Sequence, residues 1–220
     1  MLIHAAFLPP KAALEAVDAV VRAVPVPVLE PEPAPAPEPA RGLRGRLGRH
    51  RALVAEEPVP ASPPVMLDHV PIGEMSLPIT GFGNLTASDV TRLVDAVTAA
   101  ASRWQGGSVR LAGGTALDFP GDWSVWAKVD GDVGALLAAA RGVTQSVEHL
   151  NYYVDRRVFR PSLSVATVTR ATTGPFLEEV VAALEAFHGT PWPIEISLLK
   201  ETFAEGPARL AEFQRVRLGS

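Results

Sequence analysis

Two short stretches share one pattern of hydrophobic and polar positions: Met75-Ser76-Leu77-Pro78-Ile79-Thr80-Gly81-Phe82 and Phe159-Arg160-Pro161-Ser162-Leu163-Ser164-Val165-Ala166. In both, small polar residues alternate with aliphatic ones, the pattern of a strand half buried against a core. Ser76 and Pro78 share one face of the first strand, and Ser162 and Ser164 share one face of the second. Two polar faces of this kind can line opposite sides of a cleft. Pro78 cannot donate to a ladder, so its strand lies at a sheet edge or is distorted there.

The rest of the chain alternates between the two periods. Leu2 to Leu8 is an apolar run fit for a buried strand, and Leu14, Val17, Val20, Val21 and Val24 follow at helical spacing from Lys11 to Val24. Thr86 and Asp89 form a capping-box-like start for a helix with Val90, Leu93, Val94, Val97 and Trp104 on one face, ended by Gly106-Gly107. Val109–Leu111 and Trp123–Val129 pair as a hairpin, with Phe119 to Asp122 as the turn. Asp130-Gly131-Asp132 caps a third helix carrying Val133, Leu136, Leu137 and Ala140, and Gly142 fits its C-terminus. Tyr152 to Val158 is an approach strand leading into Phe159 to Val168. Gly174-Pro175 opens the last helix, which Gly189 stops. Trp192, Ile194, Ile196 and Leu198 alternate as a strand, and Phe213 to Leu218 forms a final edge strand. This order predicts an α+β fold with outer helices and two similar lobes.

Pro25 to Pro64 breaks the pattern. Eleven of the chain's 21 prolines fall there, with Glu30, Glu32 and Glu38 ahead of Arg41, Arg44, Arg46, Arg49 and Arg51. Each proline ring fixes φ and removes a donor, so the segment favours extended polyproline II. The expected organisation is residues 1–24 as the first strand and helix, 25–64 as a flexible insertion, and 65–220 as the remainder of one domain. The arginines either touch phosphates or an acidic partner, or simply balance the acidic half. Proline-rich segments with basic flanks also suit a protein partner.

Composition narrows the function classes. Across 220 residues, 47% are hydrophobic and 20% charged, with a net charge of -4. No global positive field points to nucleic acid or an anionic membrane. The absence of cysteine excludes disulfides, thiolate metal sites and a cysteine nucleophile. Met1 to Leu8 lack the basic start and the length of a secretory signal, and no run is long enough to span a membrane. A cytoplasmic, monomeric protein with no membrane partner is expected. No metal or cofactor is called for, and no phosphate-loop, nucleophile-elbow or His-Glu-x-x-His pattern occurs.

At the two polar strands the chain resembles the 2H phosphoesterases, the 2′-5′ RNA ligase-like family that includes cyclic nucleotide phosphodiesterases. Ser76 to Asn84 resembles the family's first motif, and Phe159 to Ala166 resembles the second; Ala6-Phe7-Leu8-Pro9-Pro10 resembles the opening strand. The resemblance implies two pseudo-symmetric lobes of antiparallel sheet around a central cleft. It also implies that one motif histidine acts as base and the other as acid, while two hydroxyls hold a phosphate. Here Ser76 and Ser162 stand at the histidine positions, Pro78 at the first hydroxyl position and Ser164 at the second. Histidine suits this work because its pKa lies near working pH, whereas a serine hydroxyl needs a base beside it. The expectation is a degenerate member without acid–base catalysis. Either its cleft binds a nucleotide or RNA end through Ser76, Ser162, Ser164 and Arg160, with Arg157 adding charge, or these serines are small polar residues left on a sheet face after the site decayed. An active 2′,3′-cyclic phosphodiesterase with unusual residues and a scaffold acting through the proline-rich insertion are the alternatives. Of the five histidines, His50, His69, His149 and His188 read as surface or capping residues, whereas His4, on the first strand, either faces the cleft or sits satisfied in the core, the second being favoured. Trp123, Trp126, Tyr152 and Tyr153 either stack a base at the cleft or pack in the core.

Overall fold

The computed structural model describes residues 1–27, 65–116, 123–155, 157–202 and 209–219. Most of the predicted insertion and the predicted Phe119 to Asp122 turn lie outside these residues.

The opening apolar run forms strand β1 (Leu2–Phe7), and Pro9-Pro10 turn it into helix α1 (Lys11–Arg22). A short strand β2 (Leu67–His69) precedes β3 (Leu77–Asn84), the first of the two polar strands. Helix α2 (Ala87–Ala101) begins at Thr86 as expected. The Thr86 hydroxyl accepts the Asp89 N–H at 3.3 Å and donates to the Asp89 carboxylate at 2.6 Å. That hydroxyl is the main reason the Asp89 pKa lies below the ordinary carboxylate value. Strands β4 (Ser108–Ala116) and β5 (Ser124–Gly131) pair antiparallel, and α3 (Val133–Ser146) follows. The second polar stretch gives β6 (Ser162–Val168). Helix α4 (Gly174–Glu185) starts on the Thr173 cap, and β7 (Trp192–Pro193), β8 (Glu195–Thr202) and β9 (Arg209–Arg217) complete the chain.

The strands form two sheets, one ordered β3-β1-β8-β9 and one ordered β2-β6-β5-β4-β7. Every pairing within them is antiparallel. Helices α2 and α3 contact each other and the first sheet, while α1 and α4 contact each other and the second. This is the expected α+β architecture of two lobes with outer helices. β3 lies at a sheet edge, where a proline is tolerated, and its register against β1 shifts between Ala5 and Ala6, beside the Pro78 partner. No described helix is long and apolar enough to cross a membrane.

Four local expectations are corrected. The expected strand Tyr152 to Val158 is not formed by its described residues, whose only backbone bond to β3 is Asp155 N–H to Gly81 C=O at 3.0 Å. Pro78 has no N–H and Gly83 sits at φ 68°, so the β3 edge cannot sustain a regular ladder there. Asp132 occupies the position before α3, yet its carboxylate accepts the Ser108 N–H at 2.8 Å rather than a helix donor. β9 begins at Arg209, well before Phe213, because the whole length of β8 pairs with it. Gly142 does not end α3 but lies inside it, under the Trp104 indole.

The last point gives a testable outcome. A Cβ on Gly142 would lie 2.5 Å from Trp104 Cζ2, closer than packed atoms approach. Gly142→Ala is therefore expected to cost about 1–3 kcal/mol through overpacking, despite alanine's better helix propensity. Urea denaturation would read this as a lower midpoint, and an unchanged or raised midpoint would mean that Trp104 moves aside freely.

Candidate functional site

The two sheets face each other across a cleft of about 740 Å³. On β1, Leu2, His4, Ala5 and Ala6 line it, the two alanines being nearly fully buried, while Ile3 and Phe7 are buried and do not line it. Ser76, Pro78 and Thr80 line it from the β3 side, and Trp126 on β5 and Ser162 on β6 line it from the second sheet. The two polar strands thus place Ser76 and Ser162 in one cavity. Ser164 is half-buried, paired in register with Trp126, and is not among the lining residues. Arg160 is exposed and lines the cleft.

Between α3 and β6, Tyr153, Asp155, Arg157, Val158 and Arg160 form the cleft's third wall. Asn151 turns the chain at φ 55°, a conformation asparagine tolerates better than most residues. Tyr152 then anchors it to α2, its hydroxyl donating to the Asp89 carbonyl at 3.2 Å. Burial first, and the Asp89 charge second, raise the Tyr152 pKa, which keeps this donor protonated. Tyr153 stands over Gly83, where an added Cβ would lie 3.6 Å from its ring. The Thr80 hydroxyl donates to the Asp155 carbonyl at 2.9 Å, and Arg157 Nε pairs with the Asp155 carboxylate at 2.8 Å. Beyond Arg157, the Phe159 ring meets Phe7 edge-on, with centroids 5.5 Å apart, so the core pins the segment just before β6.

His4 departs from expectation. It lies half-buried on the cleft wall, and its Nε2 is buried without a hydrogen-bond partner among the described residues, rather than satisfied in the core. Its ring lies over Gly81, where a Cβ would stand 3.3 Å from Nδ1. The signal was present in the sequence: His4 falls on the face of β1 opposite Ile3, Ala5 and Phe7. His69 has a structural partner, its Nδ1 lying 3.1 Å from the Asp18 carboxylate that also accepts Arg22 Nε at 2.7 Å. Among the aromatic residues, Trp126 and Tyr153 reach the cleft, Tyr152 serves as an anchor, and the exposed Trp123 is not a lining residue.

The cleft lining offers the Ser76 and Ser162 hydroxyls, the Arg157 guanidinium paired with the Asp155 carboxylate, the Arg160 guanidinium, one imidazole and the rings of Trp126 and Tyr153. A phosphate fits the first two kinds of group through charge-assisted hydrogen bonds, and a nucleobase fits the aromatic faces.

No family model matches the chain, and no curated protein matches it. Solved structures do match. Escherichia coli LigT complexed with 3′-AMP superposes with a TM-score of 0.64 at 14% identity, covering 99% of this chain and 98% of that one. The Thermus thermophilus protein TT0787 gives a TM-score of 0.60 at 16% identity, with 99% and 98% covered. A protein described as a phosphoesterase gives 0.55 at 14%, with the same coverage. LigT has also been solved with NADP+ and with ATP.

Proposed function

We propose that this chain, built on the two-lobed fold of the 2H phosphoesterases, is a nucleotide- or RNA-end-binding protein that has lost the acid–base pair of that fold's hydrolases. The observation that carries the proposal is the meeting of Ser76 and Ser162 in one cleft, on the strands whose flanks resemble the two catalytic motifs. Neither hydroxyl takes or gives a proton near neutral pH without a neighbouring base. What the cleft keeps is recognition chemistry. Arg157 and Arg160 supply positive charge, the serines donate hydrogen bonds, and Trp126 and Tyr153 supply stacking faces. The structures of LigT with 3′-AMP, NADP+ and ATP show that a protein of this fold takes nucleotides, which supports the same ligand class here.

Calorimetric titration of the full chain with 3′-AMP tests the proposal. Saturable binding is expected. Arg157→Ala should weaken it by roughly tenfold or more, as expected on losing a hydrogen bond to a charged group. Ser162→Ala should weaken it by about 2- to 10-fold, the range of a neutral hydrogen bond. Absence of saturable binding, or binding that neither variant alters, would remove this reading.

A further inference from the structure

Arg157 brings positive charge to the cleft on a long side chain that is 83% exposed. A side chain of that length and exposure samples many rotamers, and a ligand that captures one of them must order it at an entropic cost. The residue two positions earlier limits that freedom. Among the described residues, the Asp155 carboxylate is the one ion-pair or hydrogen-bond partner of the Arg157 side chain, 2.8 Å from Nε.

Asp155 is itself a fixed point. Its N–H donates to the Gly81 carbonyl at 3.0 Å, and its carbonyl accepts the Thr80 hydroxyl at 2.9 Å. Thr80 is buried and stands in register with Ala5 on β1, inside the first sheet. Both backbone groups of Asp155 are thus tied to β3, and its half-buried side chain is left to reach Arg157. The contact is made at Nε. A guanidinium held there keeps the two Nη groups at its far end, and those form the fork that takes two oxygens of a phosphate. An exposed ion pair contributes little to stability, so the fold gains little from this one. A carboxylate beside a phosphate also repels it, and the sign of the net effect on binding therefore decides what Asp155 does.

We propose that Asp155 is a positioning residue for the ligand's phosphate: tied to Gly81 and Thr80, it holds Arg157 through Nε so that the Nη end meets the phosphate already ordered. This rests on the nucleotide reading above and adds the residue that makes Arg157 effective.

Calorimetric titration of the full chain with 3′-AMP compares the natural protein with Asp155→Ala and Asp155→Asn, and repeats Asp155→Ala on the Arg157→Ala background. Asparagine keeps an oxygen that accepts from Nε and removes the charge, whereas alanine removes both. Asp155→Ala is expected to weaken 3′-AMP by about 2- to 10-fold, the worth of one long side chain ordered in advance. Asp155→Asn should restore the natural affinity. On Arg157→Ala, where no guanidinium is left to position, Asp155→Ala should cause no further loss. Binding to Asp155→Ala as tight as to the natural chain, or tighter, would make the carboxylate a competitor of the phosphate and overturn the proposal. An equal loss on the Arg157→Ala background, or a loss that Asp155→Asn does not restore, would give Asp155 a structural role and overturn it as well, with the nucleotide reading standing. If 3′-AMP does not saturate the natural chain, the nucleotide reading falls and this inference with it.

Discussion

Alanine in place of Leu163 is expected to lower stability by about 2–5 kcal/mol, the largest loss foreseen for any single substitution near the cleft. Leu163 has no exposed surface and sits between Ser162 and Ser164, on the opposite face of β6. Removing its side chain leaves a cavity that close-packed neighbours fill only in part, so the transfer and cavity costs add. Leu77 holds the matching position on β3, directly after Ser76, and is also fully buried. Urea denaturation should show a lowered midpoint for Leu163→Ala with an unchanged slope, which marks a loss of stability rather than a changed denatured state. A change under about 0.5 kcal/mol, the range typical of surface positions, would mean that the second sheet is not packed as described. The two faces of one strand thus answer to different tests: Leu163 to stability and Ser162 to ligand.

Installing the two histidines and the threonine of the resembled motifs is expected to produce the largest functional gain. The triple variant Ser76→His, Pro78→Thr and Ser162→His places an imidazole on each cleft wall and a hydroxyl on β3. General acid and general base effects contribute roughly 10²- to 10⁴-fold each. Hydrolysis of a 2′,3′-cyclic nucleotide should therefore rise by at least on the order of 100-fold over the natural chain, the lower bound for one productive imidazole. The β3 position tolerates the change because Pro78 lies on an edge strand and already faces the cleft. Turnover by the triple variant no greater than that of the natural chain, with 3′-AMP binding retained, would show that the two walls are not spaced for in-line attack.

Much of this architecture was legible in the sequence because burial here follows period and punctuation closely. The four helices begin where the sequence placed a proline, a threonine cap or an Asp-Gly pair, and the two polar strands lie within a few residues of their expected positions. The cleft itself was legible only in outline. Ser76, Ser162 and Arg160 meet there, but Ser164, in register with the lining residue Trp126, does not itself line the cleft, since alternation fixes a face and not how far along the sheet the cavity extends. The wall formed by Tyr153, Asp155 and Arg157 carries no period, and it is held by a side chain, Thr80, that sequence alone does not tie to it. β2 escaped because three residues are too few to establish alternation. His4 stayed between cleft and core for a different reason: a polar residue within an apolar run reads as a satisfied core group unless the facing sheet is known to stand apart from it.

The central claim is that the cleft binds a nucleotide but does not cleave it, and phosphorus NMR of the natural chain with 2′,3′-cyclic AMP reads both halves in one sample. The account predicts a shifted or broadened cyclic phosphate signal on adding protein, with no monoester signal growing above the protein-free control. Steady appearance of the monoester, abolished by His4→Ala or Ser162→Ala, would contradict it and make the cleft an active phosphodiesterase with an unforeseen base.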